Sequence, residues 1–154
     1  MTNLAIFAAG CFWGIEEKFL SQPGVLNTEV GYIGGVTKNP NYQDVCIGNT
    51  EHAEAVRVKF DCQAISYESL LKLFFEIHDP TTLNRQGPDI GTQYRSEIFC
   101  VDEEQYLTAD YLKRTLNKDK YNNKIVTSLS MVDKFWIAEE YHQKYIRKKK
   151  NMIL

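Results

Sequence analysis

"LAIFAAGCFWG", residues 4–14, sets an apolar run ending in small residues directly against a glycine, a cysteine and two large aromatic residues. Leu4 to Ala8 has the composition of a buried strand, and Gly10 marks a tight turn after it. From Phe12 onward the period changes. Phe12, Ile15 and Phe19 recur at helical spacing with Glu16, Glu17 and Lys18 between them, until "SQPG" at 21–24 breaks the pattern. The stretch therefore reads as strand, glycine turn and helix, with Cys11 at the helix N-terminus.

The same alternation continues outward. "VLNTEVGYIGG" (25–35) reads as a second strand running into a glycine turn, and "TKNPNYQDVCIGNTEH" (37–52) has the Asn, Pro and Gly content of a long structured loop. In "AEAVRVKF" (53–60), Glu54, Val56, Val58 and Phe60 point one way and Ala53, Ala55, Arg57 and Lys59 the other. Glu54 thus shares the apolar face. Ser66 can cap a helix running to about His78, with Leu70, Leu73, Phe74 and Ile77 inward, and Pro80 after its end. A polar loop covers 79–93, and "QYRSEIFCV" (93–101) reads as a strand. Asp102 with Gln105 resembles a capping box opening a helix whose buried stripe is Tyr106, Ala109, Leu112 and Leu116. "KIVTSLSMV" (124–132) is expected as the last strand and "AEEYHQKYIRKKK" (138–150) as a short terminal helix. Strands and helices alternate without strict β-α-β order. The expected fold is α+β, a two-layer α/β sandwich with a mixed sheet, ferredoxin-like in character.

The 154 residues are 44% apolar and 25% charged, which suits one domain spanning 1–154 with one core. Eighteen basic against twenty acidic residues give a net charge of −2, so no overall field favours a nucleic acid or an anionic membrane. The N-terminus has no basic region and only about six consecutive apolar residues, short of a secretory signal. No window approaches the roughly 20 apolar residues of a membrane span. A soluble, cytoplasmic monomer is the expectation. Cysteines stand at 11, 46, 62 and 100 with no C-x-x-C pair, so no metal site is expected and free thiols are the default.

Cys11 is the first candidate for chemistry. A helix N-terminus presents unpaired N–H groups and a positive dipole end, which favour thiolate and lower the pKa. Placement alone also admits a buried structural cysteine. Glu54 is the second. A carboxylate on an apolar face is desolvated, which raises its pKa and suits a general acid. An edge strand with that face in solvent would remove the effect. Taken singly, Phe12 and Trp13 read as core, and Tyr42 and Tyr94 as half-buried hydroxyls. His52, His78 or His142 could furnish the base of a Cys–His acyl-transfer hydrolase. Arg147 to Lys150 reads as a solvated helix end.

Seven blocks together resemble the A-type peptide-methionine sulfoxide reductases: "GCFWG" (10–14), "GYIGG" (31–35), "NPNYQDVCIG" (39–48), "HAEAVRVKF" (52–60), "HDPTT" (78–82), "GPDIGTQYRSEIF" (87–99) and "AEEYHQKY" (138–145). They cover nearly the whole chain in the family's order. The resemblance implies Cys11 as nucleophile, Phe12 and Trp13 as the apolar pocket for the substrate's S-methyl group, and Glu54 as the acid beside the sulfoxide oxygen. It implies Tyr42 and Tyr94 as hydroxyls hydrogen-bonding that oxygen and Asp89 as a further polar group. A sulfoxide sulfur becomes electrophilic once its oxygen is hydrogen-bonded or protonated, so the residue types fit the chemistry. The implied product is methionine with a sulfenic acid on Cys11, the implied epimer is S, and no metal or organic cofactor enters. The implied partners are thioredoxin or another dithiol as reductant, with free methionine sulfoxide and oxidised proteins as substrates.

Two departures from the pattern matter. Many relatives carry resolving cysteines in a C-terminal tail, whereas no cysteine follows Cys100 here, so a tail relay is not expected. Cys46, four residues after Tyr42, is the internal candidate for resolving the sulfenic acid, the alternative being direct reduction by an outside thiol. Glu51 stands where many relatives have glycine. Outside reductases, the alternatives are the hydrolase and a non-enzymatic peptide-binding module.

Overall fold

The first strand is apolar on both faces because it lies in the middle of a sheet. In the computed structural model, which describes residues 2–152, β1 (Thr2–Ala9) turns Ala5, Phe7 and Ala9 to one buried side and Ile6 and Ala8 to the other. It is followed by α1 (Phe12–Leu20), β2 (Val25–Ile33), α2 (Tyr42–Ile47), β3 (Ala53–Asp61) and α3 (Tyr67–Glu76). Then come the short pair β4 (Arg85–Gln86) and β5 (Asp89–Ile90), β6 (Ser96–Cys100), α4 (Glu103–Asp119), β7 (Ser128–Met131), β8 (Trp136–Ile137) and α5 (Tyr145–Met152).

Six strands form one sheet in the order β7-β6-β1-β3-β2-β8. Among the described residues only β6 and β7 run parallel, and every other pairing in the sheet is antiparallel. The inner four strands, connected through α1 and α3, make the ferredoxin-like β-α-β-β-α-β unit, so the expected α+β sandwich with a mixed sheet is the fold observed. The main core lies between one sheet face and α1, α3 and α4. Phe7 of β1 stacks on Phe19 of α1 at 4.9 Å and on Phe74 of α3 at 5.3 Å, joining both crossovers over the central strand. The opposite face carries a smaller cluster in which Phe135 covers Ala53, Ala55 and Ile6, with the Arg57 guanidinium 4.6 Å from its ring.

The differences from the sequence reading are local. The 37–52 loop contains α2, capped by the Asn41 side chain accepting from Asp44 N–H. The polar loop of 79–93 folds back as the β4–β5 hairpin and enters a 3₁₀ turn at Thr92–Tyr94, which delays the following strand to Ser96. The α3 stripe is Leu70, Leu71, Phe74 and Phe75, with Leu73 and Ile77 only partly buried. In α4 Tyr106 is half exposed and Gln105 is buried instead, because its amide bridges Val101 N–H and the Leu4 carbonyl. The strand at 124–132 is not the last. β8 follows it and docks on β2 where Gly31 lets the Trp136 carbonyl and Phe135 ring approach the backbone. The terminal helix begins at Tyr145 rather than Ala138, since Glu140–His142 is a 3₁₀ turn and Lys144 takes a left-handed φ of 53°. Among the described residues no helix is long and apolar enough to cross a membrane.

Candidate active site

Gly10 turns β1 into α1 with φ of 101°, and a Cβ there would meet Gln86 of the β4–β5 hairpin at 2.9 Å. The turn leaves Cys11 as the N-cap residue of α1, half-buried at the floor of an open cleft of about 300 Å³ that Asp89, Gln86 and Ile77 help to wall. Glu54 comes from the neighbouring inner strand β3. It is 1% exposed, and the edge-strand alternative fails because β1 and β2 flank it on both sides. One of its carboxyl oxygens accepts the Phe12 N–H at 3.2 Å, so the first turn of α1 lies against the acid.

The electrostatics of the pair split. Burial pushes the Glu54 carboxyl up to about 7 against the opposing Phe12 N–H, with the Asp89 charge adding to the rise. The expected lowering at Cys11 is not found. Burial raises its thiol to about 11, the Trp13 N–H at the helix start opposes this, and the charges of Glu54, Asp89 and Cys46 raise it further. The helix terminus does act on the sulfur, but desolvation and surrounding carboxylates outweigh it. In the free site Cys11 is a thiol.

Tyr94, Tyr42 and Cys46 complete the arrangement. Burial and the charges of Glu54, Cys46, Asp89 and Cys11 raise the Tyr94 hydroxyl to about 12. Tyr42, at the start of α2, is raised by its hydrogen bond with the Cys46 side chain one turn on, then by burial. Both phenols therefore stay protonated donors. Cys46 itself is exposed, and its carbonyl accepts from Gln93 Nε2 at 3.2 Å. Phe12 is fully buried, whereas Trp13 is half-buried with its indole stacked on Tyr145 at 3.9 Å. All the residues singled out from the sequence for the reductase site, Cys11, Phe12, Trp13, Tyr42, Cys46, Glu54, Asp89 and Tyr94, meet in this one region.

The segment after β8 supplies groups that sequence patterning missed. Glu139 accepts the Tyr32 hydroxyl and the Tyr42 N–H, both at 2.9 Å, tying α2 to β2 beside Glu54, which is the cross-strand partner of Tyr32. Although burial opposes it, these donors hold the Glu139 carboxyl below its ordinary value. Gln143 bonds Val30 N–H and the carbonyls of Val30 and Ala138, and Lys144 N–H bonds buried Glu16 of α1. His142 accepts the Trp13 indole N–H at Nδ1. A Glu-x-x-His spacing in "AEEYHQKY" was the only hint, and read as a helix it gave no inward face.

No histidine serves Cys11. His52 accepts from Gly35 N–H and meets the Thr37 carbonyl, while His78 bonds the Phe74 carbonyl and Ser96. The hydrolase therefore lacks its base. Among the described residues no group of His, Cys, Asp and Glu is arranged to hold a metal. Glu51 adopts φ of 62°, a left-handed conformation that glycine takes with less strain, and its side chain is exposed.

A half-buried thiol, a buried carboxyl raised to about 7 and two phenols, gathered on a ferredoxin-like α+β frame, are the groups a thiol-based reductase of an oxidised sulfur needs. The family model for peptide methionine sulfoxide reductase matches residues 3–153. Over 146 residues the chain is 51% identical to the peptide methionine sulfoxide reductase MsrA of Methanoculleus marisnigri, covering 94% of this chain and 89% of that protein. The reduced form of Mxr1 from Saccharomyces cerevisiae superposes with a TM-score of 0.92 at 36% identity, covering 97% of this chain and 86% of that one. Mxr1 in complex with Trx2 also matches, with a TM-score of 0.67, 25% identity and coverage of 94% and 84%. The chain belongs to the peptide methionine sulfoxide reductase family.

Proposed function

We propose that this chain reduces methionine S-sulfoxide, free or in proteins, to methionine, with Cys11 as nucleophile and Glu54 as the acid. The observation that carries this reading is Glu54 itself: a buried carboxyl that keeps its proton up to about pH 7 and lies against the first turn of the helix that starts at Cys11. Phe12 and Trp13 face the S-methyl group, and Tyr42, Tyr94 and Asp89 belong to the polar side that receives the sulfoxide oxygen. Cys11 Sγ attacks the sulfoxide sulfur as Glu54 protonates the oxygen. Cys11 attacks as the thiolate, the hydroxyl passes to its sulfur, and Glu54, left as carboxylate, regains from solvent the proton the thiol gave up on ionising. The sulfoxide is reduced by two electrons to a thioether and the thiol is oxidised to sulfenic acid. A second thiol then condenses with the sulfenic acid, releasing water and leaving a disulfide, and an external dithiol returns both to thiols. Cys46 is the internal candidate for that second thiol, and the likeness to Mxr1 bound to Trx2 supports thioredoxin as the dithiol. The working unit in this reading is residues 1–154 as one catalytic domain, a monomer in the cytoplasm.

The test is the intact mass of fully reduced protein after brief exposure to methionine S-sulfoxide with no reductant. Loss of two hydrogens is expected if Cys46 resolves, with gain of one oxygen in Cys46→Ser. Gain of one oxygen in the wild type assigns reduction to an outside thiol. Unchanged mass with unconsumed substrate overturns the reductase reading.

A further inference from the structure

Of the three histidines, only His142 leaves a ring nitrogen without a partner among the described residues. Its ring is fully buried between Phe12, Trp13, Tyr42 and Tyr141, with centroids 5.2, 5.6, 4.4 and 4.1 Å away. An indole nitrogen can only donate, so the 2.9 Å bond from Trp13 Nε1 to His142 Nδ1 fixes the tautomer: the lone pair is on Nδ1 and the proton on Nε2. That Nε2–H is the unpartnered group. A cage of rings gives a second proton little to be solvated by, and the nearby carboxylate of Glu139 already accepts from Tyr32 and Tyr42. Burial accordingly holds His142 below the ordinary histidine range, with Glu139 opposing. The ring stays neutral, and the acceptor for the indole stays available. A buried donor left unpaired is unfavourable and asks for a compensating role.

The role follows from what else holds Trp13. Stacking on Tyr145, at 3.9 Å and 11° between planes, fixes the plane of the indole but resists sliding within that plane only weakly. The bond to His142 fixes its position along the plane. We propose that His142 is a positioning residue that sets the wall of the methyl pocket, and with it the size of S-alkyl group the site admits. This rests on the reading of Trp13 as the face that meets the S-methyl group.

The experiment compares wild type, His142→Phe and His142→Asn on methionine S-sulfoxide and on ethionine S-sulfoxide, which carries one more carbon on sulfur. Phe keeps a ring in the cage without an acceptor; Asn returns an oxygen near the place of Nδ1. In His142→Phe, kcat/KM for the methyl substrate is expected to fall roughly three- to tenfold, mainly through KM, with a smaller loss on the ethyl substrate, as for one hydrogen bond lost. His142→Asn is expected to recover most of both the rate and the methyl preference. In ¹H–¹⁵N spectra the Trp13 indole proton, assigned by its absence in Trp13→Phe, is expected to shift and exchange faster in His142→Phe while that of Trp136 stays in place. Equal losses on both substrates, or an unmoved Trp13 resonance, overturn the proposal. A wild type indifferent to the added carbon overturns instead the reading of Trp13 on which it rests. Should His142→Phe not fold, the imidazole ¹⁵N resonances of the wild type decide: protonated Nε2 with bare Nδ1 is expected at neutral pH, and the opposite tautomer refutes it.

Discussion

Between Cys11 and Glu54 the free site carries two protons below about pH 7 and one from there to about pH 11. The productive state, thiolate with protonated acid, also carries one. Its population therefore rises about tenfold per pH unit up to about 7 and then stays level, because each further thiolate is offset by a lost acid proton. The pH profile of kcat/KM is expected to show that rise and plateau. In Glu54→Gln the plateau should vanish, with a lower rate, by roughly a hundredfold or more, that climbs until the thiol itself titrates. A wild-type rate falling through pH 7 would assign the reaction to the doubly protonated state. The position of both groups was legible in the sequence: the period change at Gly10 placed Cys11, and the alternation through Phe60 placed Glu54. The sign of the thiol's shift was not, because it depends first on burial and then on the charges of Glu54, Asp89 and Cys46, all brought about by distant parts of the chain.

Helix α2 has six residues, too few to be stable alone when isolated helices shorter than about 12 residues are marginal. Asx-type capping by Asn41 holds it together, but Glu139 at its start and Gln93 at its end fix where it lies. It carries Tyr42 and Cys46, so under the proposed function its placement bears on substrate binding. Glu139→Ala is expected to raise KM for methionine S-sulfoxide roughly ten- to a hundredfold, since two donors lose a charged acceptor, and to speed hydrogen exchange across 42–48. Unchanged protection at the Tyr42 amide would show that α2 keeps its place by other means. Composition announced a loop here, and rightly so by local criteria, because "NPNY" is turn chemistry. Long-range bonds made the helix, and they leave no periodic trace. The 138–145 segment was misread for the same reason.

For the molecule as a whole, buried Glu54 and half-buried His78 pull stability in opposite directions over nearly the same pH range. His78, bonded to Phe74 and Ser96, is lowered by burial to about 4, so the unfolded chain binds its proton more readily and stability rises with pH from about 4 to 6.5. Glu54 is raised to about 7, so the folded chain holds its proton more tightly and stability falls with pH from about 4.5 to 7. Each is worth up to about 3 kcal/mol, so the wild type should be nearly indifferent to pH between 4.5 and 6.5 as far as these groups decide. Glu54→Gln keeps an acceptor for Phe12 N–H and removes one side of the balance. Its unfolding free energy at pH 8 is expected to exceed that of the wild type by up to about 3 kcal/mol, dropping on acidification where the wild type does not. Urea titrations at pH 5 and 8 measure this, and a variant less stable than the wild type at pH 8 would refute it. The sheet that buries Glu54 was foreseeable from alternating elements, but β8 was not, being two residues paired with β2 where Gly31 leaves room for the Trp136 carbonyl. That late strand and the segment behind it also order events in time. The Trp13 indole is fastened by a histidine 129 positions further along. During synthesis on the ribosome the β-α-β-β-α-β unit is complete once Cys100 has emerged, yet Trp13 gains this partner only after His142 has followed. The thiol is therefore made well before the residue that finishes its surroundings.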